Sequence, residues 1–201
     1  MLFASPREVI PLENGELILA TAAFNTEEAD ALFTTLREQI AWQQDHLRIA
    51  DRTVAVPRLQ AWYGEEGAFY AYSGLTFAPL PWLPALQTVR EKCQEIAQNT
   101  FNSVLVNLYR NENDSVGWHA DDERELGPAP VIASVSLGAS RRFDLQHKRK
   151  KSLKFTLELH HGDTLVMQGE LQQHWLHQVP KEKIPVGERI NLTYRSVLKS
   201  L

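Results

Sequence analysis

The heptapeptide RINLTYR, at positions 189–195, alternates polar and apolar residues without a break. Because successive side chains of a β-strand point to opposite faces, this pattern predicts a strand with its arginines, asparagine and threonine on one face. Ile190, Leu192 and Tyr194 share the other, apolar face. The polar face is either a solvated outer surface or a polar wall inside the protein.

Further runs of strand length, rich in apolar residues and separated by turn residues, occur through the second half of the chain. The runs lie at 104–110, 130–138, 141–146, 154–168, 174–179 and 189–198. The first half carries two helical patterns, one after a capping box at Asn25 and Glu28 and one from about Pro84, with Cys93 on its apolar stripe. This order predicts a mainly β fold of the α+β class, an antiparallel sandwich or small barrel with helices packed on one side.

Length and composition indicate one ordinary globular domain over residues 1–201. The chain is 43% hydrophobic and 23% charged, which excludes an intrinsically disordered protein. It has no apolar run of about 20 residues that could span a membrane, and its opening residues do not resemble a secretory signal. The single cysteine excludes a disulfide framework, and the net charge of −4 means that a polyanionic partner must meet a local basic patch.

His119 and Asp121 are separated by one residue and would share a face of a strand. An imidazole and a carboxylate that converge supply two ligands of the 2-His-1-carboxylate triad that binds Fe(II). The residues alone leave the third ligand open among five histidines, His147, His160, His161, His174 and His177.

The polar face of the 189–195 strand suits a dicarboxylate, because guanidinium groups bind carboxylates through paired hydrogen bonds. Asn107 and Tyr109 share a face of another predicted strand and add neutral donors. Together with the His-x-Asp pair, these residues predict a metal site beside an anion pocket.

These motifs resemble, in order and spacing, those of the AlkB family of Fe(II)- and 2-oxoglutarate-dependent dioxygenases, most closely its branch that repairs alkylated nucleic acid. The motifs are Asn107-x-Tyr109, His119-x-Asp121, His177 and Arg189-x-Asn191-x-Thr193-x-Arg195. The resemblance is densest from about residue 101 to 198 and extends more loosely through Val56-Pro-Arg58 and residues 72–75.

The resemblance implies a double-stranded β-helix, or jelly roll, over residues 101–201, with 1–100 as a helical support and nucleotide-recognition segment. It implies that His119, Asp121 and His177 ligate Fe(II), and that His174 does not. The implied pocket for the cosubstrate 2-oxoglutarate consists of Asn107, Tyr109, Arg189, Asn191, Thr193 and Arg195.

The implied activity uses O2 and 2-oxoglutarate to remove alkyl groups from bases such as N1-methyladenine and N3-methylcytosine, releasing succinate, CO2 and formaldehyde. The target base must be flipped out or single-stranded. By resemblance, Tyr70 and Tyr72 stack on it, Asp122 reads its edge, and Ile49 and Ala50 form a small wedge in the vacated stack. The basic residues expected to hold the nucleic-acid backbone are Lys148, Arg149, Lys150 and Lys151.

Other functions stay open on the sequence. One is a 2-oxoglutarate-dependent hydroxylase or demethylase of a protein or small molecule on the same fold. Another is a non-catalytic nucleic-acid-binding module, and a third is a structural zinc site with the same ligands. We expect a soluble, non-secreted monomer of the bacterial cytoplasm or the eukaryotic nucleus, acting on single- or double-stranded DNA or on RNA.

Overall fold

The computed structural model describes residues 7–49, 51–72 and 75–198, with the backbone alone at 47, 49, 70–72 and 75–77. The helices and strands are, in chain order, β1 (Arg7–Leu12), β2 (Gly15–Ala20), α1 (Thr26–Gln39), β3 (His46–Ile49), β4 (Arg52–Ala55), β5 (Leu59–Gly64), β6 (Tyr70–Tyr72), β7 (Leu75–Phe77), α2 (Pro84–Ala97), β8 (Ser103–Tyr109), β9 (Val116–His119), a 3-10 turn (Arg124–Leu126), β10 (Ile132–Gly138), β11 (Arg141–His147), β12 (Lys154–Leu159), β13 (Thr164–Gln168), α3 (Leu171–His174), β14 (Trp175–Val179) and β15 (Arg189–Arg195).

Two antiparallel sheets form the body of the protein. The larger has the strand order β1-β2-β13-β10-β15-β8-β5, and the smaller has the order β12-β11-β14-β9. Apolar side chains from both sheets meet in one core layer, including Leu165 and Met167 from the larger sheet and Phe143 and Trp175 from the smaller. This architecture confirms the predicted mainly β fold with a jelly-roll core.

Both predicted helices are present and cover the outer face of the larger sheet. Asn25 caps α1 with its side chain, which accepts from the backbone N–H of Glu28 at 3.0 Å, and the Glu28 carboxylate accepts from the N–H of Asn25 in return. α2 begins at Pro84, as expected of a residue whose missing N–H costs nothing in the first turn. The apolar face of β15, with Ile190, Leu192 and Tyr194, packs in the core layer under these helices.

The sequence analysis did not identify the strands before residue 101, and β1, β2 and β5 all join the larger sheet. β5 is buried over almost its whole length, and a strand buried on both faces lacks the alternation that marks a half-exposed one. The run at 154–168 also splits into two strands of different sheets. The turn between them contains Gly162 at φ 85°, where a Cβ atom would lie 2.2 Å from the carbonyl oxygen of Phe24.

The polar face of β15 points between the two sheets, where it is buried. The fold therefore excludes the solvated alternative for this face, and three of its four polar side chains, those of Asn191, Thr193 and Arg195, line a cleft. Among the residues described, no helix combines the length and the apolar character needed to cross a bilayer.

Candidate metal and cosubstrate site

His119 and His177 lie opposite each other on neighbouring strands. β9 pairs antiparallel with β14 so that these two residues are cross-strand partners, and their ring centroids are 4.2 Å apart. Asp121 follows two residues later, and the potential ligand atoms of the three side chains lie within 4.8 Å of one another. Of the five histidines that the sequence left open as the third ligand, the fold brings His177 to the pair.

The two imidazoles present the form that a metal requires. Nδ1 of His119 lies 2.8 Å from the carbonyl oxygen of Gly117. A carbonyl can only accept, so Nδ1 carries the proton of this bond, and in the neutral ring the lone pair is on Nε2. Burial, and next the neighbouring His119, lower the pKa of His177 to about 3, which keeps its ring neutral.

Asp121 is ionised and has one oxygen unused. Burial alone would raise the pKa of this carboxyl, but the charge of Arg195 in particular lowers it to about 2. Nη2 of Arg195 donates to Oδ1 at 2.7 Å, and both side chains are almost fully buried. Oδ2 is buried and accepts no hydrogen bond from the described part of the chain. A buried carboxylate oxygen without a donor fits a metal cation, so these three residues suit Fe(II).

The prediction that His119 and Asp121 share one face of a strand was wrong. β9 ends at His119, so the strand periodicity does not place Asp121. Its backbone N–H instead donates to Oε1 of Gln172, a fully buried residue of α3, at 3.0 Å.

A cleft of about 430 Å³ extends from the metal ligands along the polar face of β15. Asn107, Tyr109, Asn191, Thr193 and Arg195 all line it. Nδ2 of Asn191 donates to Oγ of Ser134 and to the carbonyl of Val135, and Oγ1 of Thr193 donates to Oδ1 of Asn191. These bonds fix the amide and hydroxyl groups in one orientation.

Arg189 lies at the far end of this wall and does not itself line the cleft. It faces Tyr109 across the β8–β15 pair, with the guanidinium carbon 5.3 Å from the centre of the Tyr109 ring. Nη2 donates to Oγ of Ser136 at 2.8 Å, whereas the buried Nε and Nη1 have no acceptor of normal geometry within the described ranges. Burial lowers the pKa of this guanidinium to about 10. A buried cation with two unused donors fits the carboxylate of a ligand.

The residues predicted to contact the substrate are only partly described. Ala50 lies outside the described residues, as do the side chains of Ile49, Tyr70 and Tyr72. Asp122 is exposed, and its Oδ2 accepts from Nζ of Lys148 at 2.7 Å.

The basic segment forms the turn between β11 and β12, which we call the basic turn (148–153). Lys148 bonds to Asp122, and Lys150 bonds to Glu13. Arg149 and Lys151 are exposed, and neither has an ion pair with another described residue. The four cations therefore fall into two pairs, one already bound to carboxylates and one open to solvent.

Several residues of the site were not among the predicted site residues. Arg58 is buried and donates from Nε to Oδ1 of Asn107 at 2.8 Å, and only its place in the Val56-Pro-Arg58 motif pointed to it. Nothing in the sequence pointed to Gln172. Arg58 also lines a second cleft of about 590 Å³, which opens onto His119 and Asp121 from the side of β5.

Two tryptophans lie close to the metal ligands in the sequence and differ in burial. Trp175 is buried and donates from Nε1 to the carbonyl of Glu13 at 2.8 Å. Trp118 is instead 43% exposed. It precedes His119 on β9, which lies at one end of the smaller sheet, so its side chain points to the opposite face, away from the core.

Comparison with known proteins shows the family and the fold of this chain. The profile of the 2OG-Fe(II) oxygenase superfamily matches residues 16–195. The DNA oxidative demethylase ALKBH2 of Mus musculus is 40% identical over 188 residues, which cover 89% of this chain and 79% of that protein. The alpha-ketoglutarate-dependent dioxygenase alkB homolog 3 of Homo sapiens is 43% identical over 182 residues, covering 86% of this chain and 63% of that protein. The structure of OsALKBH1 shares the fold with a TM-score of 0.67 at 16% identity, over 94% of this chain and 100% of that one.

Proposed function

The chain belongs to the AlkB family of Fe(II)- and 2-oxoglutarate-dependent dioxygenases, and from this membership we propose that it removes N-alkyl groups from nucleobases in DNA. The substrate class is that named for the related DNA oxidative demethylase. The expected lesions, N1-methyladenine and N3-methylcytosine, are those implied by the sequence resemblance. One observation carries the proposal. The unused oxygen of Asp121 and the two histidines line a cleft that is also lined by Tyr109, whose ring centre lies 5.3 Å from the guanidinium carbon of the buried Arg189.

His119 through Nε2, Asp121 through Oδ2 and His177 hold the iron in this proposal. When bound, iron with 2-oxoglutarate and O2 supplies the oxidation that hydroxylates the N-methyl carbon, with succinate, CO2 and finally formaldehyde as products. Arg195 keeps Asp121 ionised by donating to Oδ1, which would leave Oδ2 to hold the metal. The protein therefore supplies ligands, orientation and a cleft lined by buried polar groups, and no general acid or nucleophile is needed.

The cosubstrate lies along the polar face of β15. We assign its distal carboxylate to Arg189, with Tyr109 beside the same group, because the guanidinium has two unused donors. Asn107, Asn191 and Thr193 line the middle of the cleft. The N–H groups of Asn191 and the hydroxyl of Thr193 already donate within the protein, so Nδ2 of Asn107 is the donor that we assign to the keto-acid end. Arg58 holds the side chain of Asn107 in place.

Substrate recognition remains a prediction. We propose that Tyr70 and Tyr72 stack on the flipped base, that Asp122 reads its edge, and that Ile49 and Ala50 hold the vacated step open. The exposed cations of the basic turn, Arg149 and Lys151, are the ones free to contact phosphates, whereas Lys148 and Lys150 are bound to carboxylates. Activity on RNA, a monomeric state, the division at residue 100 and the cellular compartment also stay predictions.

The deciding experiment supplies the protein with Fe(II), 2-oxoglutarate and an oligonucleotide that contains N1-methyladenine or N3-methylcytosine. Succinate and formaldehyde are measured together, and we expect equal amounts of both. The variant His177→Ala removes one ligand and should abolish both products. Succinate without formaldehyde on every methylated oligonucleotide would instead favour a hydroxylase of a protein or small molecule on the same fold.

A further inference from the structure

The segment that carries Asp121 is not held by strand pairing. β9 ends at His119 and the 3-10 turn begins at Arg124, so residues 120–122, which we call the metal loop, follow the last ladder position. A ligand in such a segment keeps a fixed position only where side chains from other elements hold its backbone.

Gln172 holds this backbone from α3. Its side chain is buried, with 1% of the residue exposed, and Oε1 accepts from the N–H of Asp121 at 3.0 Å. Its Nε2 contacts the sulfur of Met167 at 3.5 Å, and Met167 lines the cosubstrate cleft. Both ends of the amide are therefore used, and one end fixes the backbone of a metal ligand.

Lys148 joins the same two elements from the side of the basic turn. Its Nζ donates to the carbonyl oxygen of Gln172 at 2.8 Å and to Oδ2 of Asp122 at 2.7 Å. Its side chain is only 27% exposed, unlike that of Lys150 at 58%. The ammonium group thus ties α3 to the metal loop and uses two of its three donors in doing so.

We propose that Gln172 and Lys148 act as a clamp that positions the metal loop, and that Lys148 works inside the protein rather than on a nucleic-acid phosphate. Both are positioning residues for Asp121. In this proposal, Arg149 and Lys151 are the residues of the basic turn that contact phosphates. The statement about phosphate contacts rests on the proposed function. The statement about the position of Asp121 requires only that the site binds a divalent cation.

The first test measures the affinity for Mn(II), a stand-in for Fe(II) that does not turn over, by calorimetry without nucleic acid. Gln172→Met keeps the size of the side chain but removes the acceptor, and we expect about 10- to 100-fold weaker binding. Gln173→Met is the matched control, because Gln173 is exposed and bonds instead to the carbonyl of Pro128. Lys148→Met should weaken binding by about 3- to 10-fold.

Thermal unfolding of the metal-free variants separates positioning from general folding. The clamp predicts that Gln172→Met and Lys148→Met remain folded at the temperature of the titration while their Mn(II) affinity falls, although the buried N–H of Asp121, left without its acceptor in Gln172→Met, lowers the melting temperature of that variant. Equal Mn(II) affinity in Gln172→Met and Gln173→Met would overturn the clamp. It would also be overturned if the loss of affinity disappears when the affinity is calculated per folded molecule.

The second test measures binding of a single-stranded oligonucleotide against salt, with Mn(II) and 2-oxoglutarate saturating. Each lost phosphate contact reduces the slope of log affinity against log salt by about 0.7. We expect this reduction for Arg149→Met and an unchanged slope for Lys148→Met. A reduced slope for Lys148→Met would contradict its internal role. If the wild type binds no oligonucleotide, the proposed function fails, and the Mn(II) titrations still decide whether the clamp exists.

Discussion

Replacing Arg189 with methionine should have opposite effects on cosubstrate binding and on the stability of the ligand-free protein. Two donors of this guanidinium, Nε and Nη1, lack acceptors among the described residues. Hydrogen bonds to charged groups contribute about 1.5–3 kcal/mol each, so losing two of them removes about 3–6 kcal/mol of binding free energy. At 1.4 kcal/mol per factor of ten, the dissociation constant of 2-oxoglutarate should rise by about two to four orders of magnitude.

The stability of the ligand-free protein should not fall, because the buried cation is unfavourable there. Burial lowers the pKa of Arg189 to about 10, well below its ordinary value, and each pKa unit corresponds to about 1.4 kcal/mol against the charged form. Methionine removes this cost of about 3 kcal/mol and loses one hydrogen bond to Ser136, worth about 1 kcal/mol. The melting temperature should therefore stay level or rise by a few degrees, about 2–4 °C for each kcal/mol in a chain of this size.

The assay is calorimetric titration of 2-oxoglutarate into the Mn(II)-loaded protein, paired with thermal unfolding of the metal-free protein. Arg142→Met serves as the control, because Arg142 lies on β11 with half of its side chain exposed. It should change neither quantity. Cosubstrate affinity within threefold of wild type, or a melting temperature that drops sharply in Arg189→Met, would show that Arg189 supports the fold instead of the ligand.

Three smaller predictions concern stability and reactivity. Asn25→Ala removes the bond to Glu28 at the start of α1 and should cost about 1 kcal/mol, or about 2–4 °C in melting temperature; an unchanged transition would contradict the capping role. Asp114 is bonded to Arg110, which outweighs burial and lowers the pKa of the carboxyl below 3.8. The ionised carboxylate therefore stabilises the folded protein above about pH 4, and this stabilisation is lost as the pH falls through the lower pKa of the folded state. Asp114→Asn should thus lower the melting temperature at pH 7, and the difference from wild type should disappear in acid. Burial raises the pKa of the Cys93 thiol, and we expect it to react with a thiol reagent only after unfolding; rapid labelling of the native protein would refute this.

Patterns of neighbouring residues in the sequence were enough to predict both long helices and most strands of the second half of the chain. The capping box at Asn25 and the proline at 84 signal helix starts through bonds made within four residues, and both helices begin there. The alternation of 189–195 likewise predicted a strand with one polar face. β5 escaped notice because a strand buried on both faces shows no alternation, and its burial depends on neighbours that are distant in sequence.

The sequence by itself determined the chemistry of the site, since the identity and spacing of His119, Asp121 and the arginines of β15 restrict the ligand set to a metal and an anion. Only the tertiary structure decided that the polar face of β15 is buried, which histidine completes the triad, and that Gln172 and Lys148 reach the metal loop. These contacts join residues more than twenty positions apart, where no periodicity operates. They depend on how the strands pair and on how α3 and the basic turn pack beside the metal loop.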